Sequence, residues 1–598
     1  MSLFAELKRR NVFRVAAAYL ALGWIVTQVT STVAPMLHLP VWVGPVVLWI
    51  GVIGFPFVVM FSWIYELTPE GLKREREVER TESITHLTAR RLDLLTIGLV
   101  VVAIALFVLD RVLPHGWTSR SATPIAVTPT APASLEKSIA VLPFADMSQA
   151  KDQEYFSDGI SEELLNLLAK VRDLRVAART SSFAFKGKDV GVQEIARQLN
   201  VTHVLEGSVR KSGNRVRVTA QLIQAADGYH VWSETWDREL DDIFTVQDEI
   251  AAAVVAQMKV TLLGEAPKSR VTDPQIYEKF LQARQLGLRF TAEGFEKSTA
   301  LLEQVVEADP GYVEAWRLLA RDCFNRAYQG LQPADEAYAQ AREYLNKALA
   351  IDPDYGRAHD GLASIAIGYD FDFEVAAREW RRALQLDPTN EDIISNAAGL
   401  LQALGRGDQA IAVYKWSVSR DAVSAINYVL LASAYYLSGR FAESAEAYGT
   451  ALSLSPGYLG ASSWSAIALL LGGDAQGALA ATDREPSEMW RLVAQSMVYQ
   501  ALDRSADSGA ALERLTRRYE KTAPLAIASV HAYRGENDRA FEWLEKAVAY
   551  HDTSLSTVSV DPVFANLHDD PRWIAFLRRH GMAPEQLAAI KFEVPLPQ

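Results

Sequence analysis

Cysteine is almost missing from this chain. A single one, Cys323, stands among 598 residues, which excludes an intramolecular disulfide framework and any zinc site built from cysteine pairs. It reads as a core thiol. The short patterns that carry chemistry are missing too. Neither Gly-x-x-x-x-Gly-Lys-Ser/Thr nor Gly-x-Gly-x-x-Gly occurs, so no backbone nest is offered to a nucleotide phosphate. His-Glu-x-x-His and Gly-x-Ser-x-Gly are absent, and His203 and His230 lack a second ligand at metal spacing. Ser134-Leu-Glu-Lys137 matches Ser-x-x-Lys, but without its partner motifs. No base, nucleophile and oxyanion donor can be assembled, so we expect no catalytic residue, no cofactor, no metal and no enzyme. Excess positive charge is lacking where a nucleic acid would need it. Residues 264–598 hold 33 Lys/Arg against 45 Asp/Glu, the reverse of a basic footprint, so no nucleic-acid partner is expected.

What is present begins with three apolar runs, about 12–36, 41–65 and 92–113, each near the roughly 20 residues a membrane helix needs. Lys8, Arg9, Arg10 and Arg14 flank the first run. Lys73, Arg74, Arg76, Arg80, Arg90 and Arg91 lie between the second and third. On the positive-inside rule this predicts three transmembrane helices contacting a lipid bilayer in a bacterial inner membrane. The amino terminus would be cytoplasmic and everything after about residue 114 periplasmic. Residues 114–137, rich in Pro, Thr and Ala, read as a tether with no core of its own.

Behind the tether, 138–263 reads as a small α/β domain. The expected order is a strand over Ile139–Phe144, a helix over Gln153–Val171, a strand over Leu174–Arg179 and a helix over Val192–Leu199. Strands over Val201–Arg210 and Arg215–Gln224 follow, joined across Lys211-Ser-Gly-Asn214, then a strand through "HVWSETW" and a helix over Ile243–Leu262. Val216, Val218, Ala220 and Leu222 alternate with Arg215, Arg217, Thr219 and Gln221, the period of a strand with one buried face. Arg179–Lys188 reads as a structural loop, and Trp232 and Trp236 as core residues. The stretches "SIAVLPFADMS", "EYFSDGISEELLNLL", "LRVAARTSSFAFKGK" and "VTHVLEGSVRKSGNRVRVTAQLIQAADGYHVWSETWDREL" resemble the TolB amino-terminal-like (FlgO-type) domain over nearly the whole segment. The resemblance implies company with tetratricopeptide repeats and, in many relatives, with an adenylate cyclase, kinase or winged-helix module. Here the residues before the tether are taken up by the apolar runs, which weakens any catalytic or DNA-binding role carried over.

The rest, 268–590, keeps a 34-residue clock. Gly405, Gly439 and Gly473 recur at that spacing, as do Tyr414 and Tyr448, and Asp387-Pro388 and Ser455-Pro456 stand two periods apart. This is the tetratricopeptide period, clearest in "GRFAESAEAYGTALSLSP". Asp309-Pro310 and Asp352-Pro353 are 43 apart, and the excess is expected in the loop around Tyr328–Asp335. Arg406-Gly407-Asp408 reads as turn chemistry. About eight helix pairs are expected before a capping tail at Asp561–Met582.

The whole is thus expected to be multidomain: three transmembrane helices, a small α/β domain and an all-α superhelix whose groove holds protein or peptide partners. Asn396, Gln402 and Tyr436 are the candidate groove residues. The alternative for the groove is occupation by the chain itself or by another copy, which leaves a homo-oligomer open. The alternative for the function is a signalling component with its output module on another chain.

Overall fold

The computed structural model describes residues 137–171, 174–258, 260 and 269–597, with scattered residues between 16 and 74. Residues 1–129 and 130–598 are separate compact units.

In the first unit, the Tyr19 hydroxyl donates to the Gly51 carbonyl at 3.0 Å, and its ring lies 5.8 Å from that of Phe55. Tyr65–Thr68 pairs antiparallel with Gly71–Arg74. The second apolar run therefore ends in a strand at Tyr65, where the sequence predicted a membrane helix. The expectation of three transmembrane helices is corrected: among the described residues no helix is long and apolar enough to cross a membrane. The multi-pass inner-membrane placement, the cytoplasmic amino terminus, the periplasmic remainder and the lipid contact all rested on those helices and fall with them. The physical reason is continuity, since a crossing needs roughly 20 unbroken apolar helical residues and no described helix supplies them. Most of the runs 12–36 and 41–65, all of 92–113 and the tether up to residue 136 lie outside the described residues.

The second unit opens with a sheet. Strands β1 (Ser138–Val141), β2 (Ala145–Asp146), β3 (Arg175–Val176), β4 (His203–Ser212), β5 (Arg215–Gln224) and β6 (His230–Glu239) run in the order β3-β1-β4-β5-β6, with β2 also on β4. The β1, β2, β3 and β4 pairings are parallel, while β4–β5 and β5–β6 are antiparallel. Gly213, at φ 58°, makes the tight β4–β5 connection that a side chain would resist. In β5 the residues Val216, Val218, Ala220 and Leu222 are buried, as the alternation requires.

Helices α1 (Glu154–Ala169) and α4 (Ile243–Gln257) cover one face, and α3 (Val192–Leu199) covers the β1 end of the other. The expected loop at Arg179–Lys188 contains a short helix, α2 (Arg179–Phe183), just after β3 ends at Val176. Trp236 is buried and Trp232 packs against the same core, their rings 5.7 Å apart.

Helices α5 to α20 form eight antiparallel pairs between Pro274 and Ala549. Those used below are α5 (Pro274–Leu288), α7 (Val313–Tyr328), α8 (Ala334–Ile351), α9 (Gly356–Ile365), α11 (Glu391–Ala403), α12 (Gly407–Arg420), α13 (Ala425–Leu437), α14 (Phe441–Leu454) and α15 (Ala461–Leu471). At the turns within pairs, Gly405 and Gly439 take φ near 70°, the left-handed end of a helix where glycine avoids the Cβ clash. The 43-residue spacing is mostly helix: α7 and α8 are 16 and 18 residues long, against 13 and 14 for α13 and α14. A tail of short helical turns, Thr553–Thr557 and Pro562–Leu567, and helices Pro571–Arg579 and Pro584–Ala589 follows.

One apolar cluster runs from Ile139 on β1 through α4 and α5 to Leu319 on α7, so the sheet layer and the first repeats share a core. Gly159 permits the close approach, because a Cβ there would stand 2.6 Å from Leu281 Cδ1. This contact packs α1 against α5.

Candidate functional site

Six elements bring charge together: α1 and α2 of the sheet layer, and the first helices α5, α7, α9 and α11 of successive pairs. Arg284 on α5 is 7% exposed, and its Nη1 lies 2.7 Å from Glu163 Oε1 and 3.6 Å from Glu162 Oε1 on α1. Its Nη2 donates to the Gly159 carbonyl at 3.3 Å. Arg179 Nε donates to Glu162 Oε2 at 2.6 Å. Burial pushes both carboxyls up. Glu162, between the Arg284 and Arg179 guanidiniums, is nevertheless held low, whereas Glu163 has Arg284 alone and stays raised.

The next residues lie deeper along the repeats. Glu314 on α7 accepts from Arg317 at 2.6 and 3.0 Å and from the Tyr355 hydroxyl, with Arg357 Nη1 of α9 at 3.7 Å. Burial raises its pKa, but Arg317, Arg357 and Arg284 outweigh that and bring it down to about 2. Asp360 on α9 accepts from Trp380 Nε1 at 2.8 Å and from Asn396 Nδ2 at 3.1 Å, and burial lifts it to about 6. Glu391 at the start of α11 is lifted by burial to about 7, with Arg420 3.9 Å away opposing the shift.

The side chains of Glu314 and Arg357 stay 26% and 35% exposed, although burial is the largest influence on each. We read this as a recess between α1, α7, α9 and α11, closed by packed protein around these side chains and open to solvent at one side. At its far end the buried Ser181 of α2 donates to Asp421, beyond α12, and Val423 packs on the α3 core. The sheet layer thus spans the inner faces of α7, α9 and α11 from both ends.

Of the three residues singled out in the sequence, only Asn396 is in this recess, exposed on α11 and bonded to Asp360. Gln402 is 8% exposed, with Tyr414 Oη at 3.4 Å from its Oε1 and no partner on its Nε2. Tyr436 is 2% exposed. Its hydroxyl donates to Asp561 Oδ1 at 2.8 Å and its ring lies 5.4 Å from that of Trp464. Tyr436 thus sits against the chain's own tail, and Gln402 is buried beside Tyr414. Glu314, Arg357 and Asp392 are the recess residues that sequence reasoning missed. The signal existed: each follows the Asp of an Asp-Pro turn by five residues, at Asp309, Asp352 and Asp387.

The arrangement presents fixed, mutually paired charges and one exposed amide. Among the described residues no three His, Cys, Asp or Glu side chains gather as a metal would require.

Residues 425–458 match a tetratricopeptide repeat family model. The chain carries tetratricopeptide repeats. Residues 135–253 match the model described as HilA/YgeH-like transcriptional regulator, second domain, so the TolB-like resemblance is not what is shown there. The chain is 37% identical over 262 residues to "Putative adenylate cyclase 3" of Rhizobium meliloti, covering 42% of this chain and 44% of that one. It is 21% identical over 278 residues to "Transcriptional regulator HilA" of Salmonella typhimurium, covering 45% and 48%. The chain spans about half the length of the curated relatives it matches. Among solved structures it resembles Pseudomonas aeruginosa pilF (TM-score 0.28, 20% identity, 35% of this chain and 93% of that one). It also resembles PilW, a type IV pilus biogenesis factor (TM-score 0.28, 17% identity, 42% and 96%). Likeness at that level carries no argument about what the chain binds.

Proposed function

We propose that the chain is a protein-interaction scaffold, non-enzymatic in itself, whose repeat array holds an extended segment of a partner protein in the recess walled by α1, α7, α9 and α11. The observation that carries this reading is the exposed face of α9 and α11, where Asn396, Asp392 and Arg357 stand over a floor of paired charges. An amide offers both a donor and an acceptor to a peptide main chain, and fixed charges select among its side chains. The charges of the floor are already paired, so they hold the walls apart at little expense in further desolvation.

An immobilised peptide library probed with the full chain tests this. Peptides retained by the wild type should lose binding in Asn396→Ala with Arg357→Glu, and keep it in Arg539→Ala, an exposed ion-pair residue of the outer array. Equal binding by all three proteins would sink the reading.

A second reading is favoured by one observation, the match of the sheet layer to a transcriptional regulator's second domain. On it, the chain is a signalling component whose output lies on another chain. Purified protein with ATP and Mg²⁺ should then form no cyclic nucleotide by itself. Turnover that follows the protein through purification contradicts both readings.

A further inference from the structure

Strand β6 ends the sheet, and among the described residues no strand lies beyond it. The opposite edge, β3, is two residues long, whereas β6 runs for ten. The Leu240 amide donates to the Asn214 carbonyl, which sets the parity of the ladder. Even-numbered residues of β6 turn their backbone groups to β5, and Ser233, Thr235, Asp237 and Glu239 turn theirs outward. The strand contains no proline, and its one register shift falls at the Leu222/Ile223 end, away from these residues. Edges of this length are normally shortened, bulged or covered.

We propose that a second copy of this chain covers it, the two β6 strands pairing antiparallel across a twofold axis into one continuous sheet. Charge selects the register. Glu234 and Arg238 are both exposed, and among the described residues neither has an ion-pair partner. With Trp236 opposite its own copy, each Glu234 lies opposite Arg238 of the second copy, twice over by symmetry. Centring the pair on Glu234 or on Asp237 sets like charges face to face, which opposes pairing. Centring it on Thr235 leaves Glu234 opposite a tryptophan. The Trp236 register also keeps the even side chains of both copies on the helix-covered face, so neither core is turned out to solvent.

The test is sedimentation equilibrium of the full chain over a wide concentration range. The wild type should approach twice the mass of one chain. Glu234→Arg alone, or Arg238→Glu alone, should weaken association about tenfold or more. The double exchange, Glu234→Arg with Arg238→Glu, restores the opposite pairs and should return the dimer to near wild-type strength. At concentrations where all four proteins are monomeric their melting curves should coincide, since both sites are exposed, and at higher concentration the wild type and the double exchange should melt above the single variants. A wild type that stays monomeric, with the edge bare or kept for another protein's strand, overturns the proposal. So does a dimer indifferent to Glu234→Arg, or a double exchange that fails to restore association.

Discussion

The two halves of the repeat array solve the same geometric problem differently. Both begin as stacked helix pairs whose first helices face inward. In the first half, α5 to α12, Arg284 pairs with Glu162 and Glu163 of the sheet layer, and the neighbouring Glu314 and Arg357 stay part-exposed. In the second half the inward face meets the chain's own end. Tyr436 donates to Asp561, and the tail also reaches back to the first half, where Arg406 before α12 donates to the carbonyls of Phe592, at 2.6 Å, and Ile590. The His551 ring likewise reaches the first half, stacking on Tyr369 just after α9 at 4.3 Å. Inward polar residues are thus left open where the tail does not reach, as at Asn396, and consumed as internal bonds where it does, as at Arg406 and Tyr436. A groove residue cannot be named from repeat position alone, because what closes the groove is remote in sequence.

The largest expected effect breaks the first half. Arg284→Ala leaves two buried carboxylates beside α1 with one guanidinium fewer, and should cost about 3–5 kcal/mol, read as a fall in the urea midpoint. Adding Glu162→Gln and Glu163→Gln should recover a good part of it. If the single change is silent, the sheet layer is not clamped to α5 by these charges.

A smaller effect marks the closed half. Burial raises the Asp561 carboxyl to about 6, so the folded protein holds that proton more tightly than the unfolded chain. Its contribution is fully present below the ordinary carboxyl range near pH 4 and is lost as pH rises through about 6. The loss is on the order of 3 kcal/mol for a shift of this size. Asp561→Asn should flatten that part of the stability profile, and Tyr436→Phe should steepen it by removing a donor to the ionised form.

The smallest effects sharpen the contrast between the two candidate amides. Asn396→Ala, in the open recess, should change stability by about 0.5 kcal/mol or less while reducing peptide capture. Gln402→Leu, buried on the same helix α11, removes an amide nitrogen that has no partner. It should raise stability by about 1 kcal/mol and leave capture unchanged. The reverse pattern would mean that the Gln402 side of α11, and not the Asn396 side, meets the peptide.

What the sequence by itself determined was whatever depends on near neighbours. The 34-residue clock follows from a glycine needed at each left-handed turn and from apolar residues at helical spacing. The alternation of β5 follows from a sheet with one wet face, and the helix over Val192–Leu199 matches its amphipathic pattern to the residue. Even Arg406-Gly407-Asp408 was legible as a turn, with Gly407 opening α12. The fate of polar side chains on the inner face was decided by tertiary structure alone. Asn396 and Tyr436 looked equivalent, yet one bonds a carboxylate 36 residues away and the other a carboxylate 125 residues away. The Ser181–Asp421 contact joins residues 240 apart. Contacts at such separations are set by how a stack of helix pairs curves and by where the sheet layer docks on it. Neither is encoded in any short window, because each depends on the summed small rotations of many repeats.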